Sequence, residues 1–241
     1  AKLTVPNGYY YLNPTDAKKV LTDLWENPSG DSLGMIFPST QLPTDYDSWA
    51  AVVTWDPIGY VSDKDAAEID YDALLITMKA DLQEENIWRI QNNFEPIELV
   101  GWAAPPNYDA TTKKLHWAKE LSFSGTEANT LNYNLRALGR KGVLQLNFIA
   151  DIDQLEQIKA ALPEVAAMAS FSTGAQYADF DPSIDNVAAV GIGGLIAGKV
   201  LAKTGFLAVG LIFLKKFWFL LVMPFLWIGR KLRGNKSSDN D

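Results

Sequence analysis

Three uncharged apolar stretches near the C-terminus, residues 187–198, 204–214 and 217–228, constrain this chain more than any other feature. Lysines at 199, 203, 215 and 216 interrupt them. No stretch alone reaches the roughly 20 apolar residues that cross a hydrocarbon core. A crossing helix must therefore accommodate a lysine pair, at about 2.5–3.5 kcal/mol per Lys at mid-bilayer, or let it snorkel to an interface. A span over about 190–214 leaves Lys215 and Lys216 at the interface and sets Lys199 and Lys203 on one helix face. A span over about 205–228 instead buries Lys215 and Lys216, which as neighbours cannot share a face. A two-pass hairpin returns the tail to the outside, against the charge of Arg230, Lys231, Arg233 and Lys236. One pass is expected, with residues 229–241 as a basic cytoplasmic tail.

Charge divides the chain at the same place. Residues 1–186 hold 13 Lys+Arg against 27 Asp+Glu, whereas residues 187–241 hold 8 against 2. The acidic body repels nucleic acid and anionic headgroups, and the basic end favours the cytoplasmic side of a membrane. The chain holds eight Trp, nine Tyr and eleven Phe, and the six Trp, eight Tyr and five Phe within residues 1–176 give that part enough bulk for a packed core. No cysteine is present, which removes disulfides, thiolate metal sites and a Cys nucleophile. The first residue is Ala1, as a precursor processed by signal-peptide removal would show.

Local patterns point to an α+β domain. Strands are expected over residues 3–12, 33–37, 49–55, 97–104 and 113–123. The clearest hairpin joins residues 131–138 to 143–150, with Leu131, Tyr133 and Leu135 alternating against Asn132, Asn134 and Arg136. Helices are expected over 14–27, with Thr15 as its cap, over 63–91 with a restart near Asp70, and over 151–168 with a kink at Pro163. Consecutive strands joined by hairpins give a mainly antiparallel sheet with packed helices, followed by a polar linker at 177–186 and a C-terminal transmembrane helix over part of 187–228.

Few residues carry chemistry. His116 is the single histidine, so no histidine-rich zinc site exists within one chain. Ser122 and Ser124 lie near it without a nucleophile elbow. Asp63, Asp65, Glu68, Asp70 and Asp72 form an acidic run that suits either a hard cation or, more simply, helix capping. Asp179, Asp181, Ser183 and Asp185 alternate like half a calcium loop but lack its Gly and its terminal Glu. Pro105, Pro106, Asn107, Tyr108 and Asp109 read as an exposed recognition loop between two strands. Gly194, Gly198 and Ala202 form a small-residue row suited to close helix association, with Lys199 and Lys203 beside it. No metal and no cofactor are expected.

Several motifs together resemble a bacterial family of membrane-anchored proteins known only as a domain of unknown function. They are Gly101-Trp102-Ala103 with Pro106 to Asp109, Leu115-His116-Trp117-Ala118, and Leu131-Asn132-Tyr133-Asn134 with Leu138 to Leu144. Residues 174–180 and 191–203 complete the set. The resemblance implies a secreted precursor, an envelope-facing domain and a C-terminal anchor in the inner membrane. It brings no activity.

The expectation is therefore a non-enzymatic, periplasm-facing interaction or scaffold module on a single membrane pass. Its partners would be membrane lipid and either copies of itself or other envelope proteins, not nucleic acid. Two other classes stand beside it: a membrane-tethered hydrolase using His116 or the acidic run, and a pore subunit with Lys199 and Lys203 facing an anion path.

Overall fold

Period-two alternation in the central hairpin organises the fold, which a computed structural model describes for residues 1–198 apart from 26, 28, 29, 46 and 124–127. Strand β1 is Lys2–Leu3 and β2 is Tyr9–Leu12. Helix α1, Pro14–Lys19, continues through a π turn at Val20–Leu24. Strands β3 (Gly34–Pro38), β4 (Ala50–Asp56) and β5 (Tyr60–Ser62) lead to helix α2, Tyr71–Gln91. Strands β6 (Ile97–Asp109), β7 (Lys114–Phe123), β8 (Thr130–Gly139) and β9 (Gly142–Asp151) follow in hairpin succession. Helix α3 (Leu155–Met168), the short β10 (Ala169–Ser170), β11 (Val187–Gly191) and α4 (Ile192–Ala197) complete the described chain.

Seven strands form one antiparallel sheet in the order β2-β3-β4-β9-β8-β7-β6. The α+β class with a mainly antiparallel sheet is as the sequence indicates. In β8 and β9, Leu135 faces Leu146 and Tyr133 faces Phe148, while Asn134 faces Asn147 and Arg136 faces Gln145. Because side chains alternate across a strand, these pairs separate cleanly onto opposite faces. The first face is apolar and lies under Ile158, Val165 and Met168 of α3. The turn needs Gly142, whose φ is +157°; a Cβ there would collide with the Asp56 carbonyl oxygen.

The second face is covered in two separate places. Toward β3, the α1 residues Ala17 and, after them, Leu21 pack on Met35, Phe37 and Val52. Toward β6, residues from α2, β5, β11 and α4 pack around Leu115, Trp117 and Leu138. Asn13, not Thr15, caps α1, its Oδ1 accepting from the Thr15 and Asp16 amides at 2.9 and 3.1 Å. Asp70 caps α2, so the expected helix from residue 63 starts only at Tyr71. Ile76, Ile87 and Ile90 are exposed on α2, which rests on β6 through its other side.

The C-terminal boundary requires two corrections. Residues 177–186 are not a free linker. Tyr177 is buried with its hydroxyl donating to the Val61 carbonyl at 2.9 Å, and Phe180 stacks on Tyr60 at 3.9 Å. Asp185 accepts from Arg140 Nε at 2.6 Å. Residues 187–197 do not begin a membrane helix either. Strand β11 pairs in parallel with β5, and Ile192, Leu195 and Ile196 are buried in the cluster beneath α2. Those apolar residues serve a protein core, which looks the same as a lipid-facing run in sequence. Among the described residues, no helix is long and apolar enough to cross a membrane. The apolar stretches at 204–214 and 217–228 lie outside the described residues.

This placement predicts a cost for Ile192→Ala in the full chain of about 2–5 kcal/mol, the usual loss on truncating a buried aliphatic side chain. A lowered urea midpoint is the expected result, since Ile192 lies in the core of the domain.

Candidate functional site

The polar residues of the central hairpin meet on the second face, between its two apolar patches. Arg136 is only 8% exposed, and Asn134 beside it is also buried. The Arg136 guanidinium donates from Nη1 to Asn147 Oδ1 at 2.7 Å and to the Leu135 carbonyl at 3.2 Å. Its Nη2 donates to Asn134 Oδ1 at 3.0 Å. Its Cζ lies 5.0 Å from the centre of the Trp117 ring, a cation–π contact. Asn134 Nδ2 in turn reaches Asn132 Oδ1 at 2.9 Å. All of these acceptors are neutral.

Lys119 stands on the same face of β7, opposite Asn132, with Trp117 opposite Asn134 between it and Arg136. Among the described residues, no carboxylate oxygen lies within 4.0 Å of either cation. Asp56 and Glu85 act on them only at longer range. Burial lowers the Arg136 pKa to about 9, which leaves it charged at neutral pH. Burial likewise lowers the Lys119 pKa, and the Arg136 charge adds to that effect. The Trp117 indole N–H is buried and has no hydrogen-bond acceptor among the described residues.

Farther along the sheet is a cleft of about 550 Å³ lined by Trp25, Arg89, Phe94, Phe123, Thr130 and Ile149. Ile149 in its lining is the cross-strand partner of Asn132. Arg89 donates from Nε to the Glu95 carbonyl at 2.7 Å at its lip. Sequence reading registered Asn132, Asn134 and Arg136 only as the outer half of an amphipathic strand. A polar strand face reads as solvated, and nothing local announces that helices flank it on both sides.

The sequence-predicted site residues are placed differently. Pro105, Pro106, Asn107, Tyr108 and Asp109 are the end of β6, not a loop. The turn follows them, with Asp109 accepting from the Thr111 and Thr112 amides and Lys113 at φ +55°. Tyr108 donates to Asp63 Oδ2 at 2.7 Å, and Lys113 to the same oxygen at 2.8 Å. Gly194 is buried in α4, and α4 ends where Gly198 turns left-handed at φ +71°. Within the described residues α4 ends before Gly198, and Ala202 with Lys199, Lys203, Lys215 and Lys216 lies outside them.

The acidic run is committed to structure. Asp65 accepts from the Ile192 and Gly193 amides at 3.0 and 3.2 Å, holding the start of α4. Asp179, Asp181 and Asp185 accept from the Gln176 amide, the Ser183 amide and Arg140 respectively. Among the described residues, no three His, Cys, Asp or Glu side chains come together as a metal set. His116 Nδ1 shares a 2.9 Å hydrogen bond with the Tyr133 hydroxyl, on the opposite face from Arg136. Burial pushes Tyr133 up to about 12 and moves His116 down, so both are neutral near pH 7.

Fold and site together define an α+β domain whose sheet has one sealed face and one divided face with a polar strip. The chain belongs to the family described as "Protein of unknown function (DUF2167)", which matches residues 1–226. A comparison with curated proteins found no match. Among solved structures, the solution structure of cyanobacterial PsbP (CyanoP) from Synechocystis sp. PCC 6803 is similar over 69% of this chain and 83% of that chain. Its identity of 9% and TM-score of 0.37 carry no argument about this protein.

Asp63 supplies a pH test of this framework. Burial alone would raise its pKa, but the hydrogen bonds from Lys113 and Tyr108 outweigh that and hold it below the usual 3.8. A carboxylate with a depressed folded pKa stabilises the fold above its unfolded pKa, and the contribution disappears as pH falls through the folded value. Asp63→Asn should therefore lower the urea midpoint at pH 7. The gap from wild type should narrow as pH is taken below about 4.

Proposed function

We propose that the protein is a membrane-tethered, periplasm-facing binding module that performs no catalysis and associates with envelope components or with further copies of itself. Its C-terminal apolar stretches, residues 204–214 and 217–228, attach the domain to the inner membrane, with the basic residues 229–241 on the cytoplasmic side. The strip and cleft of the second face are where the module receives what it binds.

The observation that carries the binding half of this reading is Arg136, buried with neutral partners only, together with the half-buried Lys119 on the same face of the sheet, which has no carboxylate in contact among the described residues. A buried charge without a counter-charge is expensive, and such groups concentrate at sites that meet a partner. The tether half rests on the change of charge and hydropathy beyond residue 198. Catalysis is not assigned because His116 is held by Tyr133 and faces away from the strip. The helix-association role first read into Gly194 and Gly198 is not part of the proposal, because Gly194 is buried in α4 and α4 ends before Gly198.

Membrane fractionation tests the tether. The full chain should stay in the pellet through high salt and alkaline carbonate, and a chain ended at residue 198 should move to the soluble fraction. Recovery of the full chain in the soluble fraction would overturn this part. Native mass determination of the gently solubilised protein, with identification of what co-purifies, then separates self-association from capture of another envelope component.

A further inference from the structure

We infer that the strip on the second face binds an oxyanion, the carboxylate or phosphate of a small organic acid, held between Arg136 and Lys119. This rests on the reading of the protein as a binding module and specifies the chemistry of what it binds.

Three separate observations converge on it. Two cations share one face of the sheet within range of mutual repulsion, and neither has a carboxylate in contact among the described residues. Like charges brought together out of water call for an anion between them. Second, Trp117, whose ring lies 5.0 Å from the Arg136 guanidinium and which stands between the two cations in the register, has a buried indole N–H that lacks an acceptor among the described residues. Buried donors are nearly always satisfied, so an unsatisfied one beside two cations points to a missing acceptor group. Third, donors remain for an oxyanion: Asn134 is committed to Asn132 and Arg136, but the Arg136 Nε and the second Nη2 hydrogen are not used by these bonds, and a guanidinium edge matches carboxylate or phosphate oxygens.

A purely structural role for Arg136 explains only part of this. As a strut it ties β8 to β9 through Asn147 and braces Asn134. That role gives no reason for Lys119 to stand without a partner on the same face. It also leaves the Trp117 N–H unsatisfied. Asp56 and Glu85 temper the field without touching either cation, which keeps the site cationic.

The test uses the full chain solubilised in detergent, titrated with inorganic phosphate and, separately, with succinate, at constant ionic strength against chloride. Saturable binding by calorimetry is expected for at least one probe, with a rise in Tm of about 3–6 °C at ten times its Kd. Binding of succinate alone identifies a carboxylate ligand, and binding of phosphate alone a phosphorylated one; either supports the site. Lys119→Met and Arg136→Gln should each weaken binding about 10–100-fold, the loss expected for a hydrogen bond to a charged group. Lys119→Met replaces a partly buried side chain with one of similar length, so it decides the matter if Arg136→Gln fails to fold. No saturable binding of either probe overturns the proposal. Equal stabilisation of wild type and Lys119→Met does so too, because it marks a general ion effect. Either failure leaves membrane retention and co-purification unaffected, so the tethered-module reading is judged separately.

Discussion

The register of the β8–β9 hairpin is the constraint on which the remaining structure depends. Ten residue pairs fix it, from Thr130 with Asp151 to Gly139 with Gly142. A slip of one residue would carry Leu131, Tyr133 and Leu135 to the face that holds Arg136, and would bring the asparagines under α3. The apolar set on one side therefore locks the polar set on the other in place. Arg136 can sit at a defined depth because Phe148, Leu146 and Leu135 hold its strand from behind. The polar strip is thus positioned by the core it does not belong to.

Around this hairpin the chain uses carboxylates as fasteners. Asp63 joins the segment before α2 to the β6–β7 turn, Asp65 holds the start of α4, and Asp185 ties the returning chain to Arg140. Each accepts from donors far away in sequence. Segments 57–70 and 177–197 contribute little regular structure, yet they close the side of the sheet around Leu115, Trp117 and Leu138. The net negative charge of the body is in part the sum of these fasteners, and its acidity needs no cation-binding explanation.

Sequence reading recovered what depends on short-range periodicity. The 131–138 and 143–150 hairpin, the long helix restarting at Asp70 and the helix containing Pro163 all appear. It failed where partners are distant. Residues 187–197 are apolar whether they face lipid or Val61 and Leu138, and only the parallel pairing with β5 distinguishes the two. Pro105 and Pro106 suggested a loop, but β6 is the edge strand of the sheet and carries them with irregular register. The candidate site was visible residue by residue and invisible as a site. Arg136, Lys119 and Trp117 come from two strands, and their burial depends on helices that belong to neither.

The parallel pairing of β11 with β5 has a mechanical meaning. Tension applied beyond residue 198 enters the domain through α4 and β11, whatever its origin. Chain order sets the sequence of release: the Ile192 and Gly193 amides leave Asp65, β11 then leaves β5, and Asp185 leaves Arg140 last. Val61 and Leu138 share a buried cluster with Val190, Ile192, Leu195 and Ile196, so losing β11 and α4 would expose apolar surface without breaking any pairing of the seven-stranded sheet. The domain therefore has a short seam at its C-terminal end, where pulling is converted into fresh apolar surface before the sheet itself bears any load.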